Sequence, residues 1–470
     1  MKRKLSLLTL MFMILSALLT ACGGTTEPAA APAASATNTT SAAAPATDAT
    51  ATPAPAAPAA NTSPTPEPTD TAIAGRTQLK LWTHSAGNAN ELTVLKQEIA
   101  DFNKAQSKYQ VVYEAFPQAS YNDSVAAASV AKSLPCILDL DQPTVANFAW
   151  SKYIQPLPLT KDQLADFNSA AVGTYKDQVY SIGQFDVALV IYARKSVLEA
   201  NNIRIPTLDK PWTLDEFNKV LDTLKASGKF ENAIDVGSAG TGEWWPYAYS
   251  PMLQSFGGDL VDRKTYLTAD KVLNGPEAVK WGEWFQGLFK NGYANPKPVD
   301  DQGFYQGRVA LWYTGSWAAD DVSKKVGADA LFLPTVDFGT GPKIGGASWQ
   351  WGISTACPNT DGAWEFIQTL MKPENVAAIS KTTGLIPTST AAAKLTEKYA
   401  EGGPYRIFFD MAKKFAVLRP ATPGYPIISS QFEKAGLAIR DGADVQNSLD
   451  DAVDAIDRDI QDHNGYGFQQ

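Results

Sequence analysis

Strand-like segments alternate with helical segments after residue 77, and this alternation constrains the fold more than any other feature. The segments "QLKLWT" (78–83), "YQVVYEAF" (109–116) and "CILDLD" (136–141) have the length and apolar content of strands. Between them, residues 91–106 carry apolar side chains at helical spacing, and residues 123–132 form a second helical segment. Strands joined through helices pair in parallel by crossover connections, so the sequence predicts an α/β fold.

The folded part of the chain is too long for one hydrophobic core. It begins near Gln78 in a chain of 470 residues, whereas single cores stop growing beyond about 250–300 residues. Two further helices are predicted in it. One begins with Thr213 as N-cap and Glu216 as its capping-box partner, and the other covers residues 276–290. We therefore expect two lobes.

The N-terminus has the composition of a secretion signal. Lys2, Arg3 and Lys4 precede an uncharged apolar run over residues 5–19, which is shorter than the about 20 residues that a membrane-spanning helix needs. The stretch "LTAC" that ends at Cys22 resembles the bacterial lipobox. This resemblance implies cleavage before Cys22 and acylation of its thiol. A plain secretory signal with an incidental cysteine is the alternative.

Residues 22–76 consist mainly of Ala, Pro, Thr and Ser. With almost no large apolar side chains, such a segment cannot offset the entropy of ordering its backbone. We therefore expect residues 1–21 to be a lipoprotein signal peptide and residues 22–76 to be a disordered linker between a lipid anchor and the folded body. This arrangement places the body outside the cytoplasm, tethered to the cell membrane in the periplasm or at the cell surface.

The charge and the residue inventory exclude several function classes. The chain has 40 Lys and Arg against 49 Asp and Glu, a formal net charge of −9, and an acidic body repels nucleic acid. It has two histidines, far apart, and the sequence lacks the HExxH, GxSxG, CxxC and P-loop motifs. We therefore predict no catalytic residue, no metal site and no other cofactor.

Several segments, taken in order, resemble one protein family. "VALVIYARKSVLEANNIRIP" precedes "KPWTLDEFNKVLDTL", and "FYQGRVALWYTGSWAAD" precedes "GGASWQWGISTACPNTDGAWEFIQTLMKPENVAAISKTTGLIPTS". The order and spacing resemble the extracellular solute-binding proteins of bacterial ABC importers, in the sugar-binding group that includes maltodextrin-binding protein. The resemblance covers nearly all of the chain after residue 77, although no single motif in it is specific.

The resemblance implies a two-lobed periplasmic-binding-protein fold of type II, the Venus-flytrap form, with a mainly parallel sheet flanked by helices in each lobe. Lobe one would comprise residues 77–184 and 330–386, and lobe two residues 185–329 and 387–470. A ligand would lie in the cleft between the lobes, and closure about a hinge would enclose it. The implied partners are a small carbohydrate, expected to be a di- or oligosaccharide, and the permease subunits of an ABC transporter. The protein itself would be a monomer.

A sugar site needs flat aromatic surfaces for C–H faces and polar groups in the plane of the hydroxyls. Ligands in such folds lie at loops that follow strands, and the family pattern places a stacking tryptophan at Trp317. Core packing remains open for Trp349 and Trp245, while Trp281, Trp284 and Trp364 are assigned to the core. The candidate ligand-binding residues are Trp317, Trp349, Trp245, Asp141, Gln142, Glu243, Trp244, Tyr247, His84, Asn88, Asp186 and Ser316.

Three other function classes remain open. The same fold could bind a non-sugar solute such as a polyol phosphate or a peptide. A glycoside hydrolase also combines tryptophans with a pair of carboxylates, at about 5–9.5 Å. A surface adhesin is the third, although repeats and a β-rich composition, which are usual in that class, are absent from the sequence.

Two cysteines remain besides Cys22, and the resemblance implies that they form a disulfide. It places Cys136 at the start of a central strand and Cys357 at the end of an antiparallel neighbour, in the same lobe. Their Cα atoms would then come within the roughly 5.5–6 Å that a disulfide requires. Two free thiols are the alternative.

The lipid anchor is testable by replacing Cys22. We expect a Cys22→Ser protein to leave the membrane fraction, because a serine cannot carry the thioether-linked lipid. Fractionation of cells that express the two forms, followed by immunoblotting, measures this. A serine variant that stays in the membrane fraction with its signal peptide removed would contradict the anchor hypothesis.

Overall fold

The computed structural model describes residues 72–468. The predicted signal peptide, the predicted lipidation site Cys22 and all but the last residues of the predicted linker lie outside this range. Among residues 72–468, no helix combines the length and the apolar composition needed to cross a membrane.

Strands and helices alternate through most of this range, as expected for an α/β fold. The strands are β1 (Thr77–Thr83), β2 (Tyr109–Ala115), β3 (Ile137–Asp141), β4 (Ile154–Gln155), β5 (Val172–Tyr175), β6 (Gln178–Ile182), β7 (Phe185–Asp186), β8 (Leu189–Arg194), β9 (Asn232–Asp235), β10 (Val309–Gly315), β11 (Ala330–Leu333), β12 (Ile344–Gly345), β13 (Trp349–Ser354), β14 (Ile386–Pro387) and β15 (Ala416–Val417).

The helices lie between and after these strands. They are α1 (Ala89–Ala105), α2 (Gln118–Val130), α3 (Val145–Trp150), α4 (Lys161–Leu164), α5 (Lys195–Ala200), α6 (Leu214–Ala226), α7 (Trp244–Phe256), α8 (Pro276–Lys290), α9 (Ala319–Val326), α10 (Thr360–Leu370), α11 (Pro373–Thr383), α12 (Thr390–Lys394), α13 (Arg406–Phe415), α14 (Tyr425–Arg440) and α15 (Val445–Asp462).

Local sequence signals fix several of these elements. The predicted capping box of α6 is confirmed, because the Thr213 side chain accepts from the Glu216 N–H and the Glu216 side chain accepts from the Thr213 N–H. The predicted helix over residues 276–290 is α8, with Pro276 in its first turn. The predicted helix over residues 123–132 begins earlier, since α2 starts at Gln118 after Pro117.

The larger sheet has seven strands in the order β2-β1-β3-β13-β6-β5, with β4 paired to β13. β1 runs parallel to β2 and β3, whereas β13 runs antiparallel to β3, β4 and β6. One face is covered by α1 and α10 through Leu95, Ile99 and Phe366. The other is covered by α2 and α3 through Tyr121 and Phe148.

The smaller sheet has the order β11-β8-β10-β9, and a second, larger core surrounds it. Only the β9–β10 pair in it is parallel. The prediction of mainly parallel sheets is therefore wrong, because returning strands such as β8 and β13 insert between the crossover units. Ala330–Leu333 pairs with β8 and so belongs to the smaller sheet, although the predicted boundary at residue 330 assigns it to lobe one.

Two short sheets tie together the connections between the larger and the smaller sheet. β7, which follows β6, pairs with β14, and β12, which follows β11, pairs with β15. Asp186 at the end of β7 accepts hydrogen bonds from the N–H groups of Val187 (2.8 Å) and Ala347 (3.0 Å). These bonds hold the segments that follow β7 and β12 side by side.

The structure joins Cys136 and Cys357 as a disulfide with Cα atoms 4.2 Å apart. Cys136 precedes β3, and Cys357 follows the antiparallel strand β13. Both side chains are buried in the core that covers one face of the larger sheet.

This bond predicts a measurable contribution to stability. Peptide mass spectrometry without reduction should find the two cysteines in one linked species. The bond closes a loop of 221 residues, so a protein with both cysteines replaced by alanine should lose about 2–5 kcal/mol of unfolding free energy. Alkylation of both thiols in the folded, unreduced protein would contradict the assignment.

Candidate ligand-binding site

A buried arginine lies at the junction of the two large sheets. Arg419 follows β15 and is 4% exposed. Its Nη1 donates to Glu243 Oε1 at 2.6 Å, and its Nη2 donates to Asp141 Oδ1 at 3.4 Å and to the Ala347 carbonyl at 3.3 Å. Asp141 ends β3 of the larger sheet, while Glu243 precedes α7, which packs in the core of the smaller sheet. Arg419 therefore joins groups from both sides of the molecule.

Hydroxyl groups from α14 complete the coordination of Glu243. The Ser429 hydroxyl donates to Glu243 Oε2 at 2.8 Å, and the Tyr425 hydroxyl donates to Oε1. α14 thus orients the carboxylate that Arg419 contacts. Hydrogen bonds to ionised groups are among the stronger ones in proteins, so this arrangement fixes the side chains closely.

Burial and charge act against each other in this cluster. Burial would lower the pKa of Arg419, but the charges of Asp141 and Glu243 raise it, so the guanidinium stays protonated. Burial raises the pKa of Asp141 to about 6, although Arg419 opposes the rise. Burial likewise raises the pKa of Asp186 to about 6, despite its two backbone hydrogen bonds. Near neutral pH, the aspartates carry negative charge that one guanidinium balances only in part.

An aromatic group lies next to this cluster. The Trp317 ring centre is 6.2 Å from those of both Trp244 and Tyr247, and Trp317 is 42% exposed. The ring lies against Gly315, where a Cβ atom would come within 2.0 Å of it. Tyr247 links the two groups, because the Arg419 guanidinium lies 5.3 Å from its ring centre. The site thus places an exposed indole beside buried charged groups.

A second tryptophan lies at the start of β13. Trp349 is half-buried, and the His84 imidazole is stacked on it with ring centres 3.8 Å apart and planes 7° from parallel. Trp349 pairs in register with Asp141 across β13 and β3. This places the second indole next to the arginine cluster.

The structure brings seven of the twelve predicted residues to these three groups and separates others from them. Trp245 is fully buried, packs on Tyr249 and Phe285, and donates from Nε1 to the Gly240 carbonyl. This position favours core packing, the alternative that the sequence left open for Trp245, and its contact with ligand stays a prediction. Ser316 is buried as well, and its hydroxyl accepts from the Ala188 N–H at 3.2 Å, so its assignment also stays a prediction.

Four of the predicted residues differ in what their side chains or backbone groups contact. Asp186 acts on the connecting segments through its backbone hydrogen bonds. Gln142 is buried, and among residues 72–468 its Oε1 has no hydrogen-bond partner. Asn88 precedes α1 and donates from its backbone N–H to the Ser85 carbonyl. His84 lies behind Trp349 with both ring nitrogens paired, which does not favour direct contact with a ligand.

Sequence reasoning missed the central residue of the site. Arg419 is the only charged residue between Lys414 and Glu433. A lone cation in an apolar stretch requires a partner when it is buried, and this signal could have identified it. Nothing in the sequence could identify Asp141 as that partner, because the two residues are 278 positions apart.

Sequence comparison identifies a family. A model of the family described as bacterial extracellular solute-binding protein matches residues 97–403. A lipoprotein from the oleD 5′ region of Streptomyces antibioticus, itself uncharacterised, is 23% identical over 66% of this chain and 70% of its own length. The sn-glycerol-3-phosphate-binding periplasmic protein UgpB of Yersinia enterocolitica is 26% identical over 68% of this chain and 76% of its own.

Solved structures share the fold at low sequence identity. The cyclic α-maltosyl-1,6-maltose-binding protein of Arthrobacter globiformis superposes with a TM-score of 0.69 at 21% identity, over 83% of this chain and 100% of that one. The GacH receptor of Streptomyces glaucescens GLA.O, whose structure was solved without ligand and with acarbose, gives 0.68 at 20% identity, over 82% and 97%. The fold class is therefore α/β of the maltose-binding-protein type, as predicted.

Removing the central guanidinium should destabilise the protein strongly. An Arg419→Met variant leaves Asp141 buried without its cation, which costs about 3–5 kcal/mol of unfolding free energy. Adding Asp141→Asn and Glu243→Gln to it should restore much of that loss. Urea denaturation of the wild type, the single variant and the triple variant measures their unfolding free energies.

Arg204→Met is the matched control. Arg204 pairs with Glu216 at 2.8 Å, but both side chains are about a third exposed, so its loss should cost less than about 1 kcal/mol. Equal destabilisation by the two methionine variants would contradict a special role for Arg419.

Proposed function

The chain belongs to the bacterial extracellular solute-binding protein family, and from this premise we propose that it captures a neutral di- or oligosaccharide and delivers it to the permease of an ABC importer. The observation that carries the ligand class is the exposed Trp317 ring beside the buried Asp141–Arg419–Glu243 cluster. An indole face suits the C–H face of a sugar ring, while carboxylates and a guanidinium suit its hydroxyls.

The charge of the cluster disfavours a phosphorylated ligand. The guanidinium of Arg419 already contacts two carboxylates, and the charge of Asp186 also acts on it. A phosphate would add negative charge where negative charge is already in excess. The UgpB relatives, named for binding sn-glycerol 3-phosphate, make that ligand the second candidate, and we include it in the test.

We propose that the lobes follow the two large sheets, with residues 330–333 assigned to the lobe of the smaller sheet. The connecting segments held by Asp186 and by the β7–β14 and β12–β15 pairs would form the hinge. Arg419 would then favour the closed state, because its partners come from both lobes. Closure of this kind encloses a ligand and presents one surface, formed by both lobes, to a permease.

We propose that the protein does not hydrolyse its ligand. A retaining or inverting glycosidase needs two carboxyl groups that are free to act as acid, base or nucleophile. Asp141 and Glu243 are both bound to Arg419, and Glu243 also accepts two hydroxyl hydrogen bonds. Incubation with maltotriose and assay for new reducing ends tests this part of the proposal.

The proposed location is the outer side of the cell membrane, on a lipid anchor at Cys22. The family is extracellular, and the Streptomyces antibioticus relative is named as a lipoprotein. Both findings agree with the lipobox-like stretch before Cys22.

Ligand class is tested by thermal shift with maltose, maltotriose and sn-glycerol 3-phosphate at equal concentrations. A ligand that binds only the folded state raises the melting temperature. We expect a rise with at least one sugar and none with the phosphate. A rise with the phosphate alone would contradict the proposal.

Trp317 should carry much of the sugar affinity. Truncating it to alanine should weaken binding by roughly 2–4 kcal/mol if it is a central aromatic anchor, while the melting temperature without ligand changes little because the ring is partly exposed. Isothermal titration with the best sugar measures the first effect. Trp364→Ala, on α10 away from the cluster, is the control and should keep full affinity. Unchanged affinity in Trp317→Ala would remove the stacking role.

A further inference from the structure

Trp349 packs against the cores of both large sheets, yet its side chain stays only half-buried. His84 covers one face, and the Tyr121 ring meets the indole nearly edge-on, with centres 5.5 Å apart and planes at 82°. Tyr121 is fully buried and His84 is 2% exposed, whereas Trp349 is only half-buried. The surface that Trp349 retains therefore lies outside the face that His84 covers, and the residue itself lies opposite Asp141 in the strand register.

Both nitrogens of the stacked imidazole are committed to carboxylates. Nδ1 lies 2.6 Å from Asp139 Oδ2, and Nε2 lies 3.2 Å from Glu91 Oε2. The Thr83 hydroxyl donates to the same Asp139 oxygen at 2.9 Å. Because each carboxylate needs a donated proton, the contacts fit an imidazolium with two N–H donors. Such a ring has no lone pair to offer a ligand.

The charged and titratable groups around His84 come from three elements. They are Glu91 on α1, Asp139 and Asp141 on β3, and Tyr121 on α2, while Trp349 on β13 supplies the stacked ring. Burial works to lower the pKa of His84, but the charges and hydrogen bonds of Asp139 and Glu91 raise it to about 9. His84 is therefore protonated at neutral pH and loses its proton as the pH rises through about 9.

We propose that His84 is a positioning residue that clamps the Trp349 indole as a second flat surface of the ligand site. A cation stacked on an indole face is attracted to it, most strongly when water is excluded. A ring held in one orientation before the ligand arrives loses less conformational freedom on binding. The inference rests on the proposed sugar-binding function, since the surface that Trp349 offers suits the C–H face of a sugar ring.

The first test needs no ligand. A protonated imidazole in contact with an indole quenches its fluorescence, so emission should rise as the pH increases through about 9. The rise should disappear in His84→Gln, which removes the quenching imidazole, and in Trp349→Phe, which replaces the quenched indole by a phenyl ring. A rise that persists in Trp349→Phe, or no rise in the wild type, would overturn the clamp. Wild-type protein and the Trp349→Phe variant decide this even if His84→Gln does not fold.

The second test measures affinity for the best-binding sugar of the thermal-shift panel. His84→Gln should weaken binding about tenfold at pH 7, the scale expected for a desolvated cation–π contact. In a Trp349→Ala background the same substitution should have almost no effect, whereas in a Trp317→Ala background it should keep its full effect. In the wild type, affinity should fall between pH 8 and 10, following loss of the proton, and Trp349→Ala should not show this fall.

The outcomes separate this inference from the proposed function. Sugar binding with equal His84→Gln effects in the presence and absence of Trp349 would overturn the positioning role and leave the function intact. No sugar binding by the wild type, together with a fluorescence change that depends on both rings, would overturn the proposed function and the ligand part of the inference. The clamp itself would then stand.

Discussion

The buried guanidinium of Arg419 is the interaction on which the rest of the site depends. A charge out of water is stable only when opposite charge and hydrogen bonds surround it. Arg419 meets this requirement with Asp141 from the larger sheet, Glu243 from the side of the smaller sheet and the Ala347 carbonyl from the connection between them. A well-packed apolar cluster would hold the sheets together at least as well. The polar groups of the Arg419 cluster therefore fit the proposed role in ligand binding better than a role in stability.

The aromatic side chains of the site lie next to this cluster. Tyr247 contacts both Trp317 and Arg419, and Trp349 lies opposite Asp141 in the strand register. Flat apolar surfaces therefore border a set of oriented charges, the combination on which the proposed sugar binding rests. The acidic excess around one guanidinium separates this site from one built for an anion. Selectivity would come from these few residues, since the fold is shared with relatives of different named ligands.

Sequence patterns predicted the local features of the fold and of the site. The end of a predicted strand singled out Asp141, which is a short-range signal, whereas Trp317 was placed by the resemblance to the family. Trp244 and Trp245 could not be separated, since consecutive residues on a helix point about 100° apart and the orientation of α7 depends on tertiary packing. The same limit applies to residues 330–333, which join β8 across a long sequence distance. It applies as well to the pairing of Arg419 with Asp141, although the local signal at Arg419 was there to be read.

The central claim is that a neutral sugar lies between the two lobes, on Trp317 and within reach of the Arg419 cluster. A crystal structure of the protein grown with maltotriose tests it most directly. We expect electron density for a sugar ring within about 4 Å of the Trp317 indole, with a hydroxyl hydrogen-bonded to Asp141, Glu243 or Arg419. Sugar density elsewhere on the protein, with these side chains arranged as they are in its absence, would contradict it.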